Sequence, residues 1–186
     1  MYRIDDQIQD FTTRAYHDDD FIDVKLSDYD GKWRILVFYP ADFTFVCPTE
    51  LGELADMYDQ FVAEGAEVFS VSTDTEFTHM AWHDASETIK KIRFPMLADP
   101  TGAISKAFGV YMEENGLALR GSFIIDPDGK LKTIEIHHPD VGRTAKELLR
   151  KLKAAKFARE HGQVCPASWE PGDEGMTPGK DLVGKI

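Results

Sequence analysis

Apolar residues in this chain alternate between short uninterrupted runs and longer stretches with helical spacing. The run from Ile35 to Tyr39 is continuous, which predicts a strand buried on both faces of a sheet. Val68 to Ser72 predicts a second strand of the same kind. Between them, apolar residues recur every three or four positions, at Leu51, Leu54, Ala55, Tyr58 and Val62. This spacing predicts one amphipathic helix that ends near Gly65. The region from Trp33 to Ser72 is therefore predicted to be a right-handed βαβ unit.

The second half of the chain continues the alternation with other elements. A helix is predicted from about Glu76 to Ile89, and a short one from Ile104 to Phe108. The strand patterns Ser122 to Asp126 and Leu131 to His137 flank a turn that contains Pro and Gly, which predicts a hairpin. Thr144 is a suitable N-cap for a long helix. This order predicts an α/β protein with a thioredoxin-like fold, in which helices flank a central mixed β-sheet.

The composition changes after His161. Residues 165–186 contain three prolines and four glycines and have little periodicity, which is typical of an extended segment. We therefore expect a thioredoxin-like domain over residues 1–161 and a C-terminal tail over residues 162–186.

The charge and the cysteine count narrow the possible functions. A net charge of −12 argues against nucleic acid or an anionic membrane as a partner, because both require clustered Lys and Arg. The first residues lack the apolar core of a signal peptide, and the longest apolar run is too short to span a bilayer. We therefore expect a cytoplasmic protein. Its two cysteines then indicate reactive or transient chemistry, or inert buried thiols.

Cys47 stands where a buried strand gives way to the amphipathic helix, and Pro48 suits the first helical position. The free N–H groups of a helix N-terminus stabilise a thiolate, which is the reactive form of cysteine. Thr44 lies three residues upstream and can donate a hydrogen bond to the sulfur or to a bound oxygen. A buried structural cysteine is the competing interpretation. The strand-to-helix junction favours reactivity, because α/β sheets bind ligands there.

The second cysteine stands far from the first. Glu50 occupies the third position after Cys47, so the chain lacks a C-x-x-C pair, which argues against an ordinary dithiol thioredoxin. Cys165 lies at the head of the predicted tail, from which it can reach an oxidised Cys47 in its own chain or in a neighbour's. A reactive cysteine with a separate resolving cysteine is the arrangement of a thiol that passes through sulfenic acid.

Several segments resemble one protein family, in the same order along the chain. Phe38 to Glu50, with the sequence FYPADFTFVCPTE, resembles the active-site loop of the typical two-cysteine peroxiredoxins. Val164-Cys165-Pro166 resembles their resolving-cysteine segment. Further matches are Ser72 to Asp74, Phe94 to Asp99 and Arg120 to Asp126. The ending, Leu182 to Ile186, is similar to that of the bacterial members that serve as peroxidase subunits of alkyl hydroperoxide reductase. The resemblance covers nearly the whole chain.

The resemblance implies a role for each residue around Cys47. Cys47 is the peroxidatic nucleophile, whose thiolate attacks the terminal oxygen of hydrogen peroxide or an organic hydroperoxide. Arg120 stabilises the thiolate and orients the peroxide, Thr44 binds the peroxide oxygens, and Pro40 shields the site. Glu50, one helical turn from Cys47, is expected to hold the arginine in place.

The resemblance also implies partners. Cys165 of the partner subunit condenses with the Cys47 sulfenic acid, which requires the first turn of the helix after Cys47 to unwind. An external dithiol protein or a flavoprotein reductase then restores both thiols. Homodimers are expected to assemble into a ring, by resemblance a decamer, with Phe77 and Thr78 near the contact between dimers.

Two histidines offer a metal interpretation. His79 and His83 stand four residues apart on one predicted helix, a spacing that can ligate zinc. A zincin has Glu directly after the first histidine, where this chain has Met80, and no third ligand is evident. We therefore favour a surface or interface position for these histidines and expect neither a metal nor a cofactor.

Two other functions stay open at this point. The protein could be a ring-forming holdase chaperone whose cysteines only switch its assembly state. Alternatively, it could be a one-cysteine peroxidase in which Cys165 is incidental.

Overall fold

The structure, a computed structural model, describes residues 1–185 and divides the chain into two compact units, one from Met1 to Ala145 and one that begins at Lys146. The strands are β1 (Thr12–His17), β2 (Asp20–Lys25), β3 (Trp33–Phe38), β4 (Ala66–Ser72), β5 (Met96–Ala98), β6 (Tyr111–Met112), β7 (Leu117–Ala118), β8 (Arg120–Ile125) and β9 (Leu131–His137). The α-helices are α1 (Cys47–Asp56), α2 (Tyr58–Ala63), α3 (Glu76–Ala85), α4 (Ala103–Phe108) and α5 (Ala145–His161). The predicted division into residues 1–161 and 162–186 stays a prediction, and Ile186 lies outside the described residues.

One mixed sheet organises the first unit. Its strand order is β2-β1-β5-β4-β3-β8-β9. Strand β4 pairs in parallel with both β3 and β5, and the other neighbours pair antiparallel. Every residue of β3 is buried, as its uninterrupted apolar run predicted. The predicted α/β class with a central mixed sheet and flanking helices is confirmed.

The βαβ unit is confirmed, but its helix is broken. The predicted single helix divides at Met57, whose φ of −104° and ψ of 0° leave helical geometry, so α1 ends and α2 begins there. The break changes which side chains of α2 face inward. Phe61 is fully buried, whereas Val62, which the periodicity placed on the apolar stripe, is 49% exposed.

The helix predicted from about Glu76 to Ile89 is shorter in the structure. Helix α3 ends at Ala85, because Ser86 is extended, with φ −116° and ψ 117°. The Ser86 hydroxyl accepts a hydrogen bond from the Ile89 N–H and starts a separate 3₁₀ turn over Ile89–Lys91. Serine competes well with helical hydrogen bonding in this way. The predicted hairpin is confirmed as β8 and β9, and α5 begins directly after Thr144, as predicted.

Aromatic packing anchors the main core cluster. The rings of Phe38 and Phe108 lie 5.2 Å apart, and that of Phe123 lies 4.8 Å from Phe108 and 5.5 Å from Phe38. All three side chains are buried, and each contributes about 1.5–3 kcal/mol by leaving water. This cluster ties α4 to β3 and β8, the two strands that carry the site described below.

Two strand ends meet at the site. Strand β8 runs antiparallel to β3, with Val37 opposite Ser122, so the start of β8 lies beside the end of β3. The segment between Phe38 and Cys47 therefore begins next to Arg120. Over residues 1–185, no helix is both long and apolar enough to cross a membrane.

Candidate active site

Cys47 is the first residue of α1 and is fully buried. Pro48 follows it in the first turn, as predicted. The residue before the helix is Val46, whose side chain cannot accept a hydrogen bond from the first-turn N–H groups. The partial positive charge of this helix end is therefore left next to the sulfur, where it favours an anion.

Arg120 brings a full positive charge to the same sulfur. Its Nη1 lies 3.4 Å from Cys47 Sγ and donates to Glu50 Oε2 at 2.8 Å. Its Nε donates to the Pro139 carbonyl at 2.7 Å. With partners on two sides and only 3% exposure, the guanidinium is fixed in direction. A buried cation at this distance attracts negative charge that develops on or near the sulfur.

Arg143 also contacts this site, and the sequence did not predict it. It donates to Glu50 through three groups: its backbone N–H at 2.6 Å, Nε at 2.9 Å and Nη2 at 3.0 Å. Its Nη1 donates to the Gly121 carbonyl and to Ser122 Oγ. Nothing local in the sequence distinguishes Arg143 from a surface arginine. The only hint is its place just before Thr144, which marks the loop ahead of α5.

Glu50 is the shared acceptor of both arginines. Burial raises the pKa of its carboxyl group, but the hydrogen bonds and charge of Arg143, followed by the charge of Arg120, more than offset this and leave the pKa below its usual value. Glu50 is therefore ionised at neutral pH. Two guanidinium groups and one carboxylate carry a net charge of about +1, and a Cys47 thiolate neutralises it.

Thr44 and Pro40 lie in the segment that precedes Cys47. Pro40 is buried, and Thr44 is half-buried. The Thr44 hydroxyl donates to the Ala41 carbonyl at 2.8 Å. A hydroxyl has one proton, so Thr44 must leave Ala41 before it can donate to a peroxide oxygen. The roles of these two residues stay predictions.

The same segment rests on a buried polar cluster. His79 Nδ1 lies 2.8 Å from Asp42 Oδ2, and its Nε2 lies 3.1 Å from the Leu97 carbonyl oxygen. Tyr39 donates to the other oxygen of Asp42 at 2.7 Å. Burial, followed by the Asp42 charge, raises the pKa of Tyr39 well above its usual value. The predicted surface or interface position is wrong for His79, because its side chain is completely buried within the chain and pairs with a carboxylate distant in sequence.

The zinc interpretation gains no support from these contacts. Both ring nitrogens of His79 have other partners, and His83 Nδ1 lies 3.4 Å from the Tyr16 hydroxyl. Among residues 1–185, no group of three or more His, Cys, Asp or Glu side chains is placed to hold a metal ion.

Cys165 lies in the second unit, in different surroundings. It is half-buried, and its Sγ donates to the Ala154 carbonyl at 3.5 Å. Burial raises the pKa of this thiol, and the charge of Arg150 offsets only part of the effect. The raised pKa favours the protonated thiol.

Trp169 holds the segment that carries Cys165. Its buried ring lies 4.9 Å from the Phe157 ring, and its backbone carbonyl accepts a hydrogen bond from Arg150 Nη1.

Comparison with known proteins gives matches along the whole chain. The model of the AhpC/TSA family matches residues 4–134, and that of the C-terminal domain of 1-Cys peroxiredoxin matches residues 154–183. Alkyl hydroperoxide reductase C of Salmonella typhimurium is 49% identical over 187 residues, with 100% of both chains covered.

Two solved structures are also similar. The chain is 50% identical to Enterococcus faecalis AhpC, with 89% of this chain and 100% of that chain covered and a TM-score of 0.86. It is 33% identical to a reduced 2-Cys peroxiredoxin of Plasmodium vivax, with 96% and 94% covered and a TM-score of 0.92. These matches confirm the predicted thioredoxin-like fold and the resemblance to peroxiredoxins. The chain therefore belongs to the AhpC/TSA family.

Proposed function

We propose that this chain is a thiol-dependent peroxidase that reduces hydrogen peroxide and alkyl hydroperoxides, with Cys47 as the attacking sulfur. One observation carries the proposal. Arg120 Nη1 lies 3.4 Å from Cys47 Sγ while Glu50 and Pro139 fix the guanidinium in place. This arrangement places a fixed cation beside the sulfur and beside any oxygen that the sulfur attacks.

The first step transfers one oxygen atom to sulfur. The Cys47 thiolate attacks the terminal oxygen of the hydroperoxide, an S–O bond forms and the O–O bond breaks. The departing oxygen takes a proton and leaves as an alcohol or, from hydrogen peroxide, as water. Negative charge moves from sulfur onto the departing oxygen, and the Arg120 guanidinium can stabilise both positions. We assign Thr44 to the peroxide oxygens and Pro40 to the exclusion of water.

The second step removes the oxygen. The Cys165 thiol, which we assign to the partner subunit, condenses with the Cys47 sulfenic acid. An S–S bond forms and water leaves. Because Cys47 is fully buried in the first turn of α1, that turn must unwind. Val46 provides no side-chain cap, which leaves the turn about 1 kcal/mol less stable than a capped one. An external dithiol protein or flavoprotein reductase then returns two electrons.

Exposed aromatic residues support assembly of the chain. Phe43, Phe45 and Phe77 are 56%, 92% and 60% exposed, although large aromatic side chains usually gain most from burial. We assign this surface to contacts between homodimers in a ring, a decamer by family resemblance. A cytoplasmic location fits two cysteines that are both free.

The test is peroxide consumption by the full chain, with candidate reductants supplied one at a time. The proposal expects turnover with a dithiol protein or a flavoprotein reductase and none after Cys47→Ser. Full activity of Cys47→Ser would overturn it. Holdase activity without peroxide consumption would instead identify the chaperone, and undiminished turnover of Cys165→Ser would identify a one-cysteine peroxidase.

A further inference from the structure

A buried pair fastens the segment that leads into Cys47. Residues 39–46, the connecting segment, join β3 to α1, and Asp42 lies in their middle. Asp42 Oδ2 is hydrogen-bonded to His79 Nδ1 on α3 at 2.8 Å, and both side chains are fully buried. The second ring nitrogen, Nε2, is hydrogen-bonded to the Leu97 carbonyl oxygen of β5 at 3.1 Å. The pair therefore ties the connecting segment to a helix and a strand that lie outside the β3-α1-β4 unit.

Other hydrogen bonds converge on Asp42. The Tyr39 hydroxyl donates to its Oδ1 at 2.7 Å. Its backbone N–H donates at 2.9 Å to Asp74 Oδ2, which also accepts from the Ser72 hydroxyl at 2.7 Å. A buried polar network whose members all have partners fixes one conformation, and loss of one member leaves the others unsatisfied at a cost. The conformation of the connecting segment thus depends on Asp42.

The residue after Asp42 has a strained backbone. Phe43 has a φ of 54°, in the left-handed region that is costly for a bulky L-residue. Its side chain is 56% exposed, and its ring centroid lies 6.1 Å from that of Trp82 on α3. Such a conformation persists only where the surrounding contacts determine it. The connecting segment is therefore expected to leave this conformation when its contacts to α3 are lost.

The two proposed steps need different states of this segment. Oxidation needs Cys47 in the helix beside Arg120, with Thr44, as assigned above, near the peroxide. Disulfide formation needs the first turn of α1 to unwind, since Cys47 is fully buried there. The connecting segment leads directly into that turn, so contacts that fix the segment oppose the unwinding.

We propose that Asp42 and His79 are positioning residues, which hold the connecting segment in its strained form and thereby set how often Cys47 is released to Cys165. The inference rests on the proposed peroxidase function. Weakening the pair multiplies a small open fraction but removes few molecules from the closed state, which is the one described above. Oxidation should therefore slow little, whereas disulfide formation should accelerate. Damage to the fold in general would slow both steps.

The test follows both steps in one experiment. The reduced full chain is mixed rapidly with one equivalent of hydrogen peroxide, quenched with acid and analysed by intact-mass spectrometry under non-reducing conditions. Oxygen gain reports the oxidation of Cys47, and the later loss of water reports the disulfide. For Asp42→Ala we expect oxidation to be less than about 3-fold slower and disulfide formation about 10-fold faster, since loss of a buried hydrogen-bond partner shifts an equilibrium by about this factor.

Two milder variants grade the effect. Tyr39→Phe keeps the ring and removes only the hydroxyl that donates to Asp42, and should speed disulfide formation about 3-fold, as expected for one hydrogen bond. Asp42→Asn is the conservative rescue. Its amide can donate to Nδ1 of a neutral His79 while its oxygen still accepts from Tyr39, so both rates should stay within about 2-fold of the unsubstituted chain.

Asp126→Ala is the matched control. The Asp126 carboxylate is also buried, and its Oδ1 accepts from the N–H groups of Asp128 at 3.0 Å and Lys130 at 2.9 Å. It follows the last residue of β8, at the end of that strand away from Arg120. This variant therefore loses comparable hydrogen bonds outside the connecting segment and should leave both rates unchanged.

The outcomes separate the inference from the proposed function. No reaction of Cys47 in the unsubstituted chain overturns both. Oxidation without a disulfide overturns the assigned role of Cys165 and the inference with it. If both steps occur, the inference alone is overturned when Asp42→Ala does not speed disulfide formation, or when Asp126→Ala speeds it equally. If Asp42→Ala does not fold, unchanged disulfide formation in Tyr39→Phe overturns the inference instead.

Discussion

The two cysteines each lie near an arginine that a glutamate holds, but the two arrangements differ in burial. At Cys47, Arg120 and Glu50 are both almost completely buried and pair at 2.8 Å. At Cys165, Arg150 pairs with Glu147 at 2.7 Å, and both side chains are partly exposed. Water screens the second pair, so its charge acts weakly on the nearby thiol. The same residue types thus place a buried, unscreened cation at one cysteine and a partly exposed, screened one at the other.

This difference suits the two roles proposed for the cysteines. A nucleophile must be an anion before its substrate arrives, whereas a resolving thiol can stay protonated until a sulfenic acid is present. A thiol that donates to the Ala154 carbonyl also reacts slowly with peroxide itself. Under the proposed function, the surroundings of Cys165 therefore protect it from the oxidant that Cys47 consumes.

The largest expected effect comes from removing each sulfur in turn. Cys47→Ser should abolish the reaction with hydrogen peroxide, because a serine hydroxyl cannot replace the thiolate. Cys165→Ser should leave the first oxidation unchanged and prevent only formation of the disulfide. Intact-mass spectrometry after one equivalent of peroxide distinguishes the two, since the second variant gains one oxygen atom. Oxidation of Cys165 in the Cys47→Ser chain at a comparable rate would contradict the comparison.

The next effect is on stability, through the two glutamates. Glu50→Gln removes the carboxylate that two buried guanidinium groups share and should lower the free energy of unfolding by about 3–5 kcal/mol at pH 7. Glu147→Gln, the matched control, should lower it by less than about 1 kcal/mol, because its pair with Arg150 is partly exposed. Urea unfolding at one protein concentration measures both. Equal losses would show that burial does not separate the two pairs.

The pH dependence of the Glu50 effect has a definite sign. The pKa of Glu50 is lowered in the folded state, so its contribution is fully present above the unfolded pKa of about 4.3. It is lost as pH falls through the folded pKa. The difference between the unsubstituted chain and Glu50→Gln should therefore be constant from pH 7 to pH 5 and shrink below about pH 4. A difference that grows in acid would contradict the assignment of Glu50 as an ionised acceptor.

The arginine at Cys47 should also be less replaceable than the one at Cys165. Arg120→Lys keeps the charge but loses the fork that contacts Cys47, Glu50 and Pro139 together. We expect a fall of about 10- to 100-fold in the rate constant with hydrogen peroxide, since misplaced catalytic groups have effects of this size. Arg150→Lys should change this constant by less than about 2-fold. Similar losses in the two variants would remove the distinction.

The sequence was enough to predict the parts of this comparison that depend on neighbouring residues. The run before Cys47 and the stripe after it predicted the strand-to-helix junction, since such patterns need only local periodicity. The family resemblance of the Phe38–Glu50 segment then associated Glu50 with Arg120. The break at Met57 was not predictable from the stripe, because periodicity continues across a residue whose backbone angles leave the helix.

Contacts between distant residues were the part that periodicity could not supply. Arg143 reaches Glu50 from 93 positions away, and His79 reaches Asp42 from 37 positions away. A buried arginine and a buried histidine have the same local sequence features as exposed ones. The sheet order places Arg120 at the start of β8, beside the end of β3 and the segment that leads to Cys47.

The smallest expected effect concerns how firmly Cys165 is held. Trp169→Leu removes the ring that packs on Phe157 and leaves the backbone contact to Arg150 in place. The segment should open more often, and alkylation of Cys165 by iodoacetamide at pH 8 should quicken about 3-fold, because local opening controls access to a half-buried thiol. His161→Leu is the matched control, since His161 also stacks on Phe157, at 4.3 Å, but is exposed. If Trp169→Leu leaves alkylation unchanged, the slow reaction of Cys165 has to come from its hydrogen bond to Ala154. The contrast with Cys47 would then depend on the immediate contacts of each sulfur and not on the packing of the segment that carries it.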